Sequence, residues 1–293
     1  MRKIFAVGVL GWLPLLALAA NVAPLSDRFE ALKRSTPALW SAAELRVVSQ
    51  EDDRQAEGQV WGLIDLPYPA LATRLQTPTA WCEVLILHLN VKYCRASGAP
   101  GSPILEVAVG RKFDQPLSQA QWLRFTGRWN ASTQGLQLDL QAPHGPMGTH
   151  DYRIVLEAAP WDSRHSLTQL RYACGYGLWA RWGLQAYLAT WGGDKVGFSM
   201  LSSRPDLPGI PVRGIRGLVE RNAMRYLLAL QAWAASLRLP EEQQTEARLE
   251  AWFDATQQFA PQLYEVPRDD YLRMKRSELK RQKEVPEPPL ISR

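Results

Sequence analysis

The chain has 293 residues, 46% of them hydrophobic and twelve of them Trp, and a formal charge of +5. That content is ample for the core of one large domain with appendages, and the charge is too small and too local for a nucleic-acid-coating protein. No stretch after the N-terminus is long and apolar enough to span a bilayer; the richest, residues 178–191, is short and carries Arg181 and Gln185.

Arg2 and Lys3, an apolar run at 4–18 and then Ala17-Leu18-Ala19 stand in the order of a secretory signal peptide, with cleavage predicted after Ala19. Residues 1–19 are thus expected to be removed, leaving a periplasmic or secreted protein of formal charge +3 once Arg2 and Lys3 are gone. An uncleaved anchor is the competing reading, but the run falls short of the ~20 residues of a spanning helix and Pro14 interrupts it. Export places Cys82, Cys94 and Cys174 in an oxidising setting where two of the three can pair. Cys82 with Cys94 closes a short loop and leaves Cys174 as a buried thiol; the two other pairings stay open.

Residues 20–57 read as a helical segment and linker. Ser26 and Thr36 cap two short helices, the second with Pro37 at its first position and Leu39, Trp40 and Leu45 apolar. Glu51-Asp-Asp-Arg-Gln-Ala-Glu57 follows as a polar linker. A strand is predicted at 59–65, ending at Pro67 and Pro69, which open a helix through Leu71, Leu75 and Trp81.

Residues 85–94 alternate, with Leu85, Leu87, Leu89, Val91 and Tyr93 on one parity and Ile86, His88, Asn90, Lys92 and Cys94 on the other. That is the period of a half-buried strand. The same pattern recurs at 104–113, 121–129, 136–141, 152–156 and 167–174, with turn signals at 98–103, 130–135 and 144–148. Short loops leave no room for crossover helices, so these strands are expected to pair antiparallel in a curved sheet.

Trp179, Trp182, Ala186 and Ala189 then take helical spacing before Gly192-Gly193, and 195–201 is a further candidate strand. The longest helix is predicted from 214–217 to about 237, a second starts at Pro240 and a third at Pro267. In the third, Arg273, Lys275, Arg276, Lys280, Arg281 and Lys283 alternate with Asp269, Asp270, Glu278 and Glu284. This reads as a solvated face with ion pairs, with peripheral membrane contact through the basic helix as the alternative.

Strand, helical segment, a run of antiparallel strands and a long C-terminal helix make an order that resembles the helix-grip fold of START-like and polyketide-cyclase-like proteins. The run Trp61-Gly-Leu-Ile-Asp-Leu-Pro-Tyr-Pro69 leading to Trp81 is similar to the first strand and helix of that superfamily. Asn90-Val-Lys92, the run from Gly145 through His150 and Asp151 to Arg153, and Glu220-Arg-Asn-Ala-Met-Arg225 resemble an uncharacterised family of exported bacterial proteins. The resemblance implies an α+β fold over 58–238; the helical residues 178–191 inside it, the C-terminal helical extension at 239–284 and the tail at 285–293 depart from the superfamily's order. It also implies an apolar tunnel between sheet and helix for a hydrophobic or amphipathic, lipid-like ligand, held by an exported carrier or sensor without cofactor.

Polar groups that would orient such a ligand are sought on the long helix and one strand. Glu220, Arg221, Asn222 and Arg225 crowd the helix start, and Arg221 and Arg225, four apart, share a face suited to a carboxylate or phosphate. Glu220 has an alternative as the partner of an Arg or of Lys195. His88, Asn90 and Lys92 share a predicted strand face that lines the cavity or faces solvent, and Asp151 is a ligand group or a turn residue.

Two further readings remain: a cyclase- or hydrolase-type enzyme using His88, His150 or Asp151, and an interaction protein docking through its C-terminal helix. Gly175-Tyr-Gly177-Leu-Trp-Ala180 fits a dinucleotide-binding pattern but lacks alternating strand-helix units upstream. Gly197-Phe-Ser-Met-Leu201 lacks the last Gly of a nucleophile elbow, and the spacing of His144, His150 and Asp151 matches no metal pattern.

Overall fold

The computed structural model describes residues 23–39, 44–99, 101–177, 195–201 and 209–284. The signal segment, the helix expected at 178–191 and the tail at 285–293 lie outside the described residues. Eight strands form one sheet: β1 (Arg46–Glu51), β2 (Gln55–Ile64), β3 (Val91–Ala99), β4 (Ser102–Val109), β5 (Gln121–Ala131), β6 (Leu136–His144), β7 (Thr149–Pro160) and β8 (Ser166–Tyr176). Their order is β1-β2-β8-β7-β6-β5-β4-β3, antiparallel at every step. Alternation decides the inner face: in β6, Leu136, Leu138 and Leu140 are buried while Gln137 and Gln141 are exposed.

Helix α1 (Leu25–Ser35) packs on the outer face, where Phe29 stacks on Trp61 at 5.9 Å and meets Trp161 edge-on at 5.8 Å. Helices α2 (Tyr68–Leu75) and α3 (Pro78–Leu85) lead from β2 to β3, and α4 (Gly214–Ser236) lies along the inner face. Its 23 residues run for about 34 Å. At Gly58 of β2 a Cβ would stand 2.6 Å from the backbone of Val219, so only glycine lets the helix lie this close. A curved antiparallel sheet closed on one long helix is the helix-grip fold.

Among the described residues, the space expected to hold an apolar tunnel is packed with side chains. Leu105, Phe125, Leu140, Leu156 and Leu170 from the sheet meet Leu227 and Leu230 of α4, and each is at most 4% exposed. A side chain bordering a water-sized hole would show accessible area, so these fill the space between sheet and helix. Each such residue contributes about 1.5–3 kcal/mol by leaving water.

Other local expectations shift as well. Thr36 closes α1 and starts no second helix, and of the linker expected at 51–57 only 52–54 form the turn of the β1–β2 hairpin, the rest being paired strand. Pro78 divides the predicted helix into α2 and α3. The strand expected at 85–94 begins only at Val91, because Leu85 ends α3 and residues 86–90 are a buried turn. Of 195–201, only β9 (Met200–Leu201) is strand, paired with β10 (Ile210–Pro211).

After α4, helices α5 (Glu241–Gln257), α6 (Ala260–Leu263) and α7 (Arg268–Glu284) fold back over α4 and β3, burying Trp252 and Tyr271. No described helix is long and apolar enough to cross a membrane. Between α7 and β3 sit Lys92, Lys275 and Glu278, all fully buried. Glu278 accepts from both ammonium groups at 2.8 Å, while Lys275 also donates to His88 O (2.7 Å) and Val91 O (2.8 Å). Burial, opposed by Glu278, pushes the Lys275 ammonium down to about 8. Lys92 is thus committed to the docking of α7 and lines no ligand cavity.

Cys82 of α3 and Cys94 of β3 are joined by a disulfide, and Cys174 is a buried thiol. Replacing both Cys82 and Cys94 by Ser should lower unfolding stability by about 2–4 kcal/mol in a denaturant titration. Glu278→Gln strands two buried ammonium groups and should cost about 3–5 kcal/mol. Exposed Glu284→Gln, in the same measurement, should stay within about 0.5 kcal/mol of the parent.

Candidate functional site

The first turns of α4 are sunk into the fold, which leaves Glu220 fully buried and Arg221 and Arg225 each 3% exposed. Glu220 answers this with uncharged donors. Ser49 Oγ donates to it at 2.5 Å, Phe198 N at 2.5 Å, Ser199 N at 3.0 Å, and Ser199 Oγ donates as well. Neither the Arg partner nor the Lys195 partner expected for Glu220 is made. These bonds hold the stretch 195–201 against α4 and the β1 edge.

Arg225 donates from Nη2 to Glu265 Oε1 at 2.7 Å, and Lys112 reaches Glu265 Oε2 at 2.6 Å. Burial alone would raise the Glu265 carboxyl, but Arg225 and Lys112 hold it below the ordinary carboxylate value. Arg221 is in a different position. Its Nη1 donates to Val196 O at 3.2 Å, and no carboxylate among the described residues comes within ion-pair distance of it. Burial, with Arg225 adding to it, pushes this guanidinium down to about 10. Lys195 completes the group: its ammonium donates to Tyr264 O and is lowered by burial, with Glu265 opposing and Lys112, Arg225 and Arg221 adding to the effect.

Beside these charges runs an aromatic row. His88 stacks on Tyr226 at 5.0 Å, Tyr226 lies 5.9 Å from Tyr172, and Tyr172 meets Tyr152 at 6.1 Å. Asn90 N donates to His88 Nδ1 at 3.1 Å, so the neutral ring carries its proton on Nε2. That Nε2 is buried without a hydrogen-bond partner, and so is Nε of Arg225. Asn222 lies near enough to favour a charged His88 ring but does not meet bonding geometry at Nε2. Burial, then Arg225 and Lys275, hold the imidazole pKa well below 6.5, so the ring is neutral near pH 7. Burial likewise raises Tyr152 to about 12 and carries Tyr172 and Tyr226 upward. The row is therefore a wall of neutral hydrogen-bonding groups at neutral pH.

Of the residues singled out in the sequence, Arg221, Asn222, Arg225 and His88 come together here. Glu220 borders the group but is saturated, and Asn90 supports the His88 turn by donating from Nδ2 to Gly110 O at 2.6 Å. Lys92 lies in the α7 contact. Asp151 pairs with His150 at 2.8 Å on an exposed strand start, its side chain 77% accessible, and takes no part. Lys112 and Glu265 were not foreseen, and Lys195 was foreseen only as a partner for Glu220. Each sits on its own loop, and no spacing in the sequence links them.

A separate cleft of about 420 Å³ opens between α3, β3, α5 and α7, with Ile86, Leu87, Leu249 and Leu279 as apolar lining and Glu83 and Arg248 beside them. Arg248 and Glu83 already pair at 3.0 Å. Among the described residues no cluster of His, Cys, Asp or Glu is arranged to hold a metal ion.

No protein-family model matches the chain, and no curated protein does. Solved structures that it resembles include human STARD10, at 9% identity and TM-score 0.32 over 61% of this chain and 81% of that one. Another is the di-domain aromatase/cyclase StfQ of the steffimycin pathway, at 10% and 0.33 over 71% of this chain and 53% of that one. A third is norcoclaurine synthase from Thalictrum flavum, at 10% and 0.30 over 44% and 71%. At these values the assignment to the helix-grip fold rests on the chain's own strand order and the place of α4.

The buried neutral His88 makes stability depend on pH. Below about pH 6.5 the unfolded chain binds a proton that the folded chain refuses, so stability should fall as the solution is acidified through that range. Urea midpoints between pH 7.5 and 5 should show this slope, and His88→Phe, which keeps the stack on Tyr226, should flatten it.

Proposed function

We propose that this protein binds a small amphipathic molecule at the end of the grip where α4 begins, as an exported carrier or sensor. The observation that carries the reading is the pair of buried, unmade donors, His88 Nε2 and Arg225 Nε, set beside the half-buried Tyr226 and Asn222. Leaving a buried donor unpaired costs about 1–3 kcal/mol, which an oxygen atom of a ligand would recover. The apolar body of the molecule would lie along the His88–Tyr226–Tyr172–Tyr152 row. Access is supported at Lys112, whose side chain is 36% exposed, and at half-buried Lys195. Because the interior is filled, the ligand engages this end without threading a tunnel.

Binding without turnover is favoured because burial moves His88 downward and Tyr152, Tyr172 and Tyr226 upward, away from the pH where a group exchanges protons most readily. The hydrogen-bonded pair of His150 and Asp151, the alternative acid-base pair, stands on the exposed start of β7. Export is supported by the Cys82–Cys94 disulfide, which persists in oxidising compartments.

Native mass spectrometry of protein purified from its own envelope should show a co-purified amphiphile, lost in a His88→Phe/Tyr226→Ala double variant that still melts cooperatively. Preparations that are empty throughout would overturn the binding reading. In the same spectra the intact mass should correspond to a chain beginning at Ala20.

A further inference from the structure

Among the described residues, charge at the mouth of the grip is unbalanced. Lys112, Lys195, Arg221 and Arg225 act on one another there, and the described carboxylates among them are Glu265 and Glu220, an excess of two positive charges. The imbalance does not lie at a solvated surface, where counter-ions would erase it: Arg221 and Arg225 are each 3% exposed. Glu265 is already divided between Arg225 and Lys112, and Glu220 has its oxygens engaged by two serine hydroxyls and two backbone N–H groups. Arg221 holds one backbone carbonyl, Val196 O. A guanidinium has five N–H donors in a fork matched to a carboxylate or phosphate, and burying one without an anion costs several kcal/mol.

We infer that this group is an anion site, and that the amphiphile proposed above carries an acidic head, a phosphate or carboxylate, seated between Arg221 and Lys195. The inference rests on the ligand-binding reading and narrows it to one class. The head neutralises the surplus charge, Arg221 supplies the fork, and Lys195 and Lys112, at the accessible side, close over it as further donors. Glu220 cannot substitute for the head: its hydroxyl and amide partners hold it toward β1 and the 195–201 stretch. The chain of the ligand then continues along the neutral aromatic row, which is suited to an uncharged body.

The test compares dodecyl phosphate, dodecanol and inorganic phosphate by titration calorimetry on the mature, disulfide-intact protein. Dodecyl phosphate should bind at least about tenfold more tightly than either other probe, because a charge-assisted pair and an apolar chain are both engaged. Arg221→Met should cut that preference to below about twofold. Half-buried Lys195→Met, which removes no core group, should cut it several-fold, and this keeps the test decisive should Arg221→Met not fold. Equal affinity for dodecyl phosphate and dodecanol would overturn the acidic head while leaving the binding reading intact. Inorganic phosphate binding as tightly as dodecyl phosphate would make this a free-anion site and overturn the amphiphile. Failure of all three probes to bind folded protein would sink both readings.

Discussion

Everything at the mouth of the grip depends on how closely α4 lies against β2. Gly58 presents no side chain, and any Cβ there would press on the backbone of Val219. The helix therefore sinks until the residues following Val219, among them Glu220, Arg221 and Arg225, have lost their water. Charged side chains in that position must find partners inside the protein or leave the cost of desolvation standing. Among the described residues Glu220 finds four donors, Arg225 finds a carboxylate, and Arg221 finds a carbonyl oxygen.

Two buried charge groups in the same molecule make the contrast plain. Around Glu278, both lysines have all their donors used, and the result ties α7 to β3 and to the turn that carries His88. Around Arg221, donors are left over on a guanidinium and an imidazole, next to residues that reach the surface. The first arrangement is what a fold needs to fix one geometry; the second stores unmade interactions where a small molecule can arrive. Filling the grip interior with leucines fits this division, since on the proposed reading it leaves one end for the ligand.

The sheet was legible where one face meets water. Leu136, Leu138 and Leu140 alternate with Gln137, Asp139 and Gln141 because the outer face of β6 is solvated. The same rule misread 85–94, where Leu85, Leu87 and Leu89 alternate by accident: the preceding helix turn and the turn after it are buried on all sides by α4 and α7, so burial there carries no period. Arg221 and Arg225 could be paired by their spacing on one helix. Lys112 and Glu265 could not, and Lys195 entered only as a partner for Glu220, since the closed fold alone brings their three loops together. Lys275 and Glu278, three apart, looked like a surface ion pair; what buries them is a set of backbone carbonyls at 88–91 that no side-chain pattern records.

The bond between Cys82 and Cys94 closes a loop that contains the whole 86–90 turn, with His88 at its centre. His88 is therefore anchored covalently on both flanks, while Arg221 and Lys195 are anchored by packing and hydrogen bonds alone. A chain whose thiols are still reduced has the same residues but a slacker frame around its imidazole. On the proposed reading, capture of an amphiphile would be tied to oxidative maturation, since the frame of its site is complete only where this bridge can form.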